Sequence, residues 1–425
     1  MRILFIHPNF PAQFRHVAAV FGRDKRNQVL FLTKNERPEW NIPGVRKVLY
    51  VPGGEAAEQV HRLAAPLDTA VREGEAVFTA CRKLKVSGFR PDLVYAHSGW
   101  GTSMYLREVW PDVPLMCYFE WFYDPGGADA VFDLPPGAER GPTVLRTRNA
   151  PIFNDLWTCD QGLCPTRWQR AQFPQEYRPR IAVLHDGVDT GYFIPDPEAR
   201  IVLDGVDGKT LDLSGAGEIV TYTARGMEPY RGFPQFMEAM ALLLERRKQT
   251  HVVVAGSERI CYGGPRPDKR SWKEAMLEKL DLPMDRLHFT GSLPYGKYRT
   301  LLQASSVHVY LTRPFVLSWS AVEAMACGCQ VVGSDTPPVR ELIRHGHNGL
   351  LADFFSPQDI ALRVEEALED KDRAAKLRAA ARATAEDRYS LAKLLPIHCR
   401  LMADTARGAA ATRTRAVPPS SASAS

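Results

Sequence analysis

"SVHVYLTRPFVLSWSAVEAMACGCQVVGSD", Ser306 to Asp335, reads as a strand, a loop, a helix and a second strand. The flanking runs SVHVYL and CQVVGSD are apolar along most of their length rather than alternating. That pattern marks strands covered on both faces, as in a parallel sheet. A strand–helix–strand unit of this kind belongs to a doubly wound α/β domain, in which ligands bind at the carboxyl ends of the strands.

The helix carries a single carboxylate, Glu323, in an otherwise apolar or small-residue run. A charge there is costly unless something pairs with it. Two readings stand. Ser320-Ala-Val-Glu323 has the S-x-x-E spacing of a capping box, with Gly328 closing the helix. Alternatively, the helix amino end faces the strand carboxyl ends, where unpaired amides and partial positive charge suit phosphate oxygens. A carboxylate beside that seat can accept both hydroxyls of a ribose.

The same alternation extends outward in both directions. Upstream lie "EIVTYTARG", "HVVVAG" and "LHFTG"; the first half of the chain holds "ILFIH", "VLFLT", "KVLYV", "DLVYAH" and "LMCYF". Two of these runs end in a histidine, His7 and His97. The pattern breaks around His185–Pro197, "HDGVDTGYFIPDP", where turn residues concentrate and a domain junction is expected. "RIVLDGVDGKTLDL" then reads as a hairpin with Asp-Gly turn signals. From Ser356 the chain is helical through about Met402, and the alanine-, serine- and proline-rich remainder cannot build a core. The expected organisation is a first α/β domain over 1–190 and a second over 191–385. A helix over 386–405 and a disordered tail over 406–425 complete it.

The whole chain limits the function classes. Its 425 residues exceed one typical core, and 45% hydrophobic with 24% charged residues is an ordinary globular composition. A net charge of +5 suits anionic ligands but is no nucleic-acid footprint. The eight cysteines include no C-x-x-C pair, which points to reduced thiols and against zinc. No run reaches the length of a spanning helix, and the first residues are interrupted by Pro8, so a cytoplasmic protein is expected. No strand is followed by G-x-G-x-x-G, which disfavours a dinucleotide oxidoreductase. "TARGMEPYRGF" places Arg225 and Arg231 between a strand and a helix, where they are either a diphosphate clamp or solvated loop arginines.

These segments carry a family resemblance. "VEAMACGCQVVGSDTPPVRELIRHGHNGLL" resembles the signature block of the family-4 retaining glycosyltransferases, "ARGMEPYRGF" their Arg…Lys-Gly segment, and "VLHDGVDTGYF" their hinge strand. "IHPNFPAQFRHVA" resembles the amino-terminal domain of a bacterial subgroup. The resemblance covers nearly all of Met1 to about Met402. It implies the GT-B fold, two doubly wound Rossmann-like domains facing a cleft. It also implies retention of anomeric configuration and a carboxy-terminal helix crossing back to the first domain.

Carried over by position, the resemblance implies specific roles. Glu323 matches the second glutamate of the E-x7-E motif, which binds ribose hydroxyls; Arg225 and Arg231 match the cations that grip the donor diphosphate. Gly291, Ser292 and Leu293 match a loop that meets the nucleobase. The amides of Ser318, Trp319 and Ser320 stand where a glycine-rich loop lies near sugar and phosphates. Two departures are plain. The first motif glutamate is Phe315, and the usual Gly-Phe-Gly reads Val316-Leu317-Ser318. In the first domain, Glu120 in "CYFEWFY" stands where the family often has histidine. It is a base, a sugar-hydroxyl acceptor, or a carboxylate paired with an arginine. His97 either faces the cleft or is a satisfied core histidine. Gln13 and Phe14 are expected acceptor contacts, and Trp121, Phe122 and Tyr123 are either core, the favoured reading, or an acceptor platform.

The resulting expectation is a transferase using a nucleotide-sugar donor and a bacterial glycan or lipid-linked acceptor. It needs no cofactor or metal, and peripheral contact with the inner membrane face is open. Nucleotide-sugar epimerases and phosphorylases share the architecture, and an inactive glycan-binding or scaffolding homologue is a further alternative.

Overall fold

The computed structural model describes residues 1–54, 60–135, 137, 141–204 and 210–413, the last five by backbone alone. The chain divides into two compact units, Met1–Asp186 with the chain from Leu394 onward, and Gly187–Lys393.

In the first unit, strands β1 (Arg2–Ile6), β2 (Gln28–Thr33), β3 (Val45–Leu49), β4 (Leu93–His97), β5 (Leu115–Tyr118), β6 (Gln161–Cys164) and β7 (Ile181–Val183) form one sheet. Its order is β3-β2-β1-β4-β5-β6-β7, and every pairing is parallel. The chain order reverses between β1 and β4. Apolar residues fill both faces. Leu4, Ile6, Val94 and Ala96 pack on one side, and Ile3, Phe5, Leu93 and Tyr95 on the other.

The last helix, Leu391–Arg413, contributes Met402 to the second of these clusters, and His398 Nε2 lies 3.1 Å from the Tyr95 hydroxyl. The expected end at residue 405 is therefore too early. The alanine-rich segment "ARGAAATR" has strong helix propensity and continues the helix through Arg413. The remainder of the expected disordered tail, 414–425, lies outside the described residues.

The second unit begins with the antiparallel pair β8 (Val202–Asp204) and β9 (Thr210–Asp212); the turn between them lies outside the described residues. Its sheet comprises β10 (Glu218–Gly226), β11 (Thr250–Ser257), β12 (Leu287–Gly291), β13 (Val307–Tyr310), β14 (Gln330–Ser334) and β15 (Leu350–Ala352). The order is β12-β11-β10-β13-β14-β15, again parallel throughout. Here the order reverses between β10 and β13. Tight packing fixes the end of β10. A Cβ on Gly226 would lie 2.3 Å from the Arg259 carbonyl, and Gly232 adopts φ 63° against Leu311. Among the described residues no helix is long and apolar enough to cross a membrane.

Candidate active site

In an open parallel sheet, the crevice forms where strand order reverses, because the following chain segments diverge to opposite faces. In the second unit a small cavity of about 30 Å³ lies at that point, lined by Thr223, Arg225, Glu228, Arg231, Tyr262 and Ser318 among others. Arg231 is buried. Its Nη1 donates to the Tyr310 hydroxyl (3.2 Å), Thr312 Oγ1 (2.8 Å) and the Val316 carbonyl (3.0 Å). Its guanidinium lies 5.1 Å from the centroid of the Tyr262 ring. These partners are all neutral, and among the described residues no carboxylate pairs with Arg231. A buried cation held this way is costly until an anion joins it. Arg225, at the exposed end of β10, lines the same cavity.

Glu228, between the two arginines, is buried and does not neutralise them. Its carboxylate accepts the amides of Cys261, Tyr262 and Gly263 at 3.0–3.2 Å. It thereby fixes the loop that lays Tyr262 over Arg231. Sequence reasoning places neither Glu228 nor Tyr262 in the site. The only signal is the position of Glu228 inside the arginine segment.

Glu323 lies on helix Trp319–Ala326 and is buried. Its carboxylate accepts the Tyr298 hydroxyl at Oε2 (2.6 Å) and the Tyr295 hydroxyl at Oε1 (3.0 Å). The capping-box reading is overturned. The N-cap is Ser318, whose Oγ accepts the Ser320 amide, while Glu323 turns inward to the tyrosines. Burial and the adjacent carboxylate hold the Tyr298 hydroxyl well above the usual tyrosine range.

The expectation for the loop amides also needs correction. The Ser318 amide donates to the Tyr310 hydroxyl at 2.7 Å and the Ser320 amide to Ser318 Oγ at 3.4 Å. Both donors are therefore engaged within the chain rather than presented to a ligand. Gly291 ends β12 at φ 66°, and Ser292 and Leu293 lead directly into helix Tyr295–Gln303, which supplies both tyrosines. Phe315 is buried edge-on against Tyr230 and Tyr262, at centroid distances of 5.4 and 5.3 Å. The motif's acidic position is thus part of an aromatic cluster.

The first unit has its own residues at its strand-order reversal. His7 follows β1 and His97 ends β4, with ring centroids 4.7 Å apart. His97 Nδ1 lies 2.8 Å from the Ser98 carbonyl, which can only accept, so Nδ1 carries a proton. Nε2 lies 3.7 Å from Glu120 Oε2. Burial pushes the His97 imidazole below its ordinary range, opposed by Glu120 and the Ser98 carbonyl.

Gln13 Nε2 reaches Glu120 Oε1 at 3.4 Å. Phe14 does not belong to this group. It is fully buried, 4.4 Å from the Tyr95 ring, because the 3-10 turn Ala12–Phe14 folds its side chain beneath the sheet. Trp121 is buried, and Phe122 packs against Phe153 and Phe173. Beneath the β4 loop, buried Asp155 accepts Ser98 Oγ (2.7 Å), Ser103 Oγ (2.6 Å) and the Gly99 amide (3.4 Å). Burial raises its carboxyl to about 6 against these hydrogen bonds. Among the described residues no group of three or more His, Cys, Asp or Glu side chains could hold a metal ion.

The architecture and sequence match known proteins. Residues 25–193 match the glycosyl transferase family 4 group and residues 213–384 match the glycosyl transferases group 1. A D-inositol 3-phosphate glycosyltransferase of Thermobispora bispora is 25% identical over 207 residues, 48% of this chain and 45% of that one. The chain thus spans about half the length of that relative. A GDP-mannose-dependent alpha-(1-6)-phosphatidylinositol monomannoside mannosyltransferase of Mycolicibacterium smegmatis is 26% identical over 62% of this chain and 67% of its own. Among solved structures, Anabaena HepE in complex with UDP-glucose superposes with a TM-score of 0.68 at 17% identity, covering 96% of this chain and 100% of that one. Sucrose-phosphate synthase from Thermosynechococcus elongatus gives 0.71 at 16% identity, with 96% and 100% covered. With both halves matched by family models and two parallel-sheet α/β units of the expected topology, the chain belongs to the family-4 glycosyltransferases and has their GT-B fold.

Proposed function

We propose that this chain is a retaining glycosyltransferase that moves a sugar from a nucleoside diphosphate to a bacterial glycan or glycolipid acceptor without a metal. The observation that carries this reading is Arg231, a buried guanidinium bonded only to neutral acceptors and lining a cavity at the strand-order reversal. As the glycosidic bond breaks, negative charge grows on the departing diphosphate. Arg231 and Arg225 stabilise that charge, and fixed cations in a water-poor site do so with little reorganisation. The amino end of helix Trp319–Ala326 adds its partial positive charge.

Glu323, steadied by Tyr295 and Tyr298, accepts the ribose hydroxyls, and Gly291, Ser292 and Leu293 meet the base. His97, Glu120 and Gln13 serve the acceptor side. The activities of the relatives support sugar transfer to inositol-containing acceptors, and the complexes of HepE with UDP and UDP-glucose support a nucleotide-sugar donor. Retention rests on the family resemblance. A lipid-linked acceptor would bring the protein to the cytoplasmic face of the membrane.

The test is transfer from a panel of UDP-, GDP- and ADP-sugars to monosaccharide, cyclitol and lipid acceptors, with and without EDTA. The anomeric configuration of the product is read by NMR. Transfer with retention in EDTA is expected; inversion or an absolute metal requirement would refute the scheme. Phe315 favours one rival, a glycan-binding chain that transfers nothing, because its aromatic cluster replaces a sugar-hydroxyl acceptor. No turnover across the panel together with no binding of UDP, GDP or ADP by calorimetry would select that rival. An epimerase would alter the donor sugar with no acceptor present.

A further inference from the structure

We propose that Tyr262 is a built-in gate on the anion seat of Arg231, an aromatic ring that covers the guanidinium and turns aside when a diphosphate binds. The chain thereby competes with its own ligand, and the ring lowers the affinity that the arginine alone would give. This deepens the diphosphate assignment above and rests on it.

Space is the first observation. The cavity that Arg231 lines measures about 30 Å³, room for roughly one water molecule and far less than two phosphate groups need. Tyr262 takes up the room beside it. Its ring centroid lies 5.1 Å from the Arg231 guanidinium, 5.3 Å from the Phe315 ring and 6.0 Å from the Tyr230 ring. A ring face attracts a cation through its quadrupole, which is weaker than the pull of a phosphate oxygen. The contact therefore closes the seat and yields it to an anion.

Donors around the seat are satisfied from within the chain in the same way. The Tyr310 hydroxyl accepts from both Arg231 Nη1 at 3.2 Å and the Ser318 amide at 2.7 Å. One neutral oxygen thus holds two donors that an anion would draw toward itself. Tyr262 and Tyr310 are neutral stand-ins for negative charge. An incoming diphosphate displaces the Tyr262 ring and replaces these weak contacts with charge-assisted hydrogen bonds.

Glu228 decides how the gate moves. Its buried carboxylate accepts the amides of Cys261, Tyr262 and Gly263 at 3.0–3.2 Å, which pins the backbone on both sides of the ring. The half-buried ring is left to turn about its own side-chain torsions. A Cβ added to Gly264 would meet no atom within 4 Å, so open space lies two residues along the chain. The carboxylate fixes the pivot and the ring does the moving.

The experiment titrates inorganic pyrophosphate, UDP, GDP and ADP calorimetrically into the full chain, Tyr262→Ala and Tyr262→Phe, each checked by its melting transition. Amide hydrogen exchange at Cys261, Tyr262 and Gly263 is followed with and without pyrophosphate. Removing the ring should tighten pyrophosphate binding by about tenfold, in the range of a buried cation–π contact. Tyr262→Phe keeps the ring and should show only a small part of that gain. The three amides should stay protected when pyrophosphate binds, because the backbone that Glu228 holds does not move. Weaker or equal pyrophosphate binding in Tyr262→Ala would overturn the gate, since the ring would then be a ligand contact or a bystander. So would loss of protection at those amides, a Tyr262→Phe chain as tight as Tyr262→Ala, or no pyrophosphate binding by any chain. Nucleotide binding with unchanged pyrophosphate affinity in Tyr262→Ala would sink the gate alone. Tightened pyrophosphate binding with no nucleotide bound by any chain would sink the transferase reading and leave the gate standing.

Discussion

The two units place the same topological feature, the reversal of strand order, under opposite chemistry. In the second unit the strand ends present a buried guanidinium with neutral partners and a second arginine at the rim. In the first they present two imidazoles and a carboxylate, with burial pushing the His97 imidazole below its ordinary range. The backbone scaffold is shared, so what differs is set by a handful of side chains just beyond the strands. Under the proposed function, the cationic edge takes the donor diphosphate and the other edge the acceptor. A glycosyl transfer needs both.

The comparison breaks first at the cations. Arg231→Ala should lower transfer by about a thousandfold and weaken nucleotide binding in parallel, with Arg231→Lys recovering part of both. Arg225→Ala should cost about a hundredfold in turnover with an unchanged melting temperature, since that side chain is exposed. Steady-state kinetics and thermal melts check both. Equal losses of turnover and stability in Arg225→Ala would mean that it is structural.

On the first unit's side, the largest effect is on stability. Asp155 is raised from 3.8 to about 6 in the fold, so the native state holds its proton more tightly than the unfolded chain. Protonation therefore stabilises the fold. The contribution is complete below about pH 4 and is lost as pH rises through about 6. A shift of about 2 units corresponds to roughly 3 kcal/mol. Between pH 4 and 6 the wild type should lose about that much stability relative to Asp155→Asn, read from paired denaturant curves. Parallel pH profiles would show that Asp155 is not titrating there.

Smaller effects sharpen the picture. Tyr298→Phe removes a charge-assisted hydrogen bond to Glu323 and should weaken nucleotide binding about tenfold. The loss should shrink when the nucleotide lacks ribose hydroxyls, which calorimetry with deoxynucleotides would reveal. The smallest expected change is that of His398→Phe. It should cost about 1 kcal/mol through the lost contact with Tyr95 and leave nucleotide binding untouched.

The long buried strands are legible in the sequence because an unbroken apolar run bounded by turn residues fits little besides a covered strand. β10 and β12 span the runs EIVTYTARG and LHFTG. The strands β6 (QGLC), β7 (IAV) and β15 (LLA) escape because, unlike the four-residue β5 and β13, they are not embedded in a longer apolar or aromatic run. The two histidines and Arg225 are visible for the same reason as the strands, because each lies at the end of a run, and Arg231 is visible through its place in the same short segment before a helix. Glu323 is visible, but its partners are not. Tyr295 and Tyr298 lie 28 and 25 residues upstream, beyond any local spacing rule. The same distance hides Asp155, whose serines stand 52 and 57 residues earlier. Ser320 and Ser318 are equivalent on spacing grounds, and only the path of the loop selects Ser318 as the cap. Phe14 is misplaced because a phenylalanine in a polar loop gives no sign of the turn that buries it.

The most direct test of the cationic pocket is calorimetric titration of UDP, GDP and ADP into the wild-type chain and Arg231→Ala, with the fold of each verified by its melting transition. The expected result is saturable binding of at least one nucleotide by the wild type and at least a hundredfold weakening in the variant. Equal affinity in the two chains, or no binding of any of the three by the wild type, would contradict the assignment.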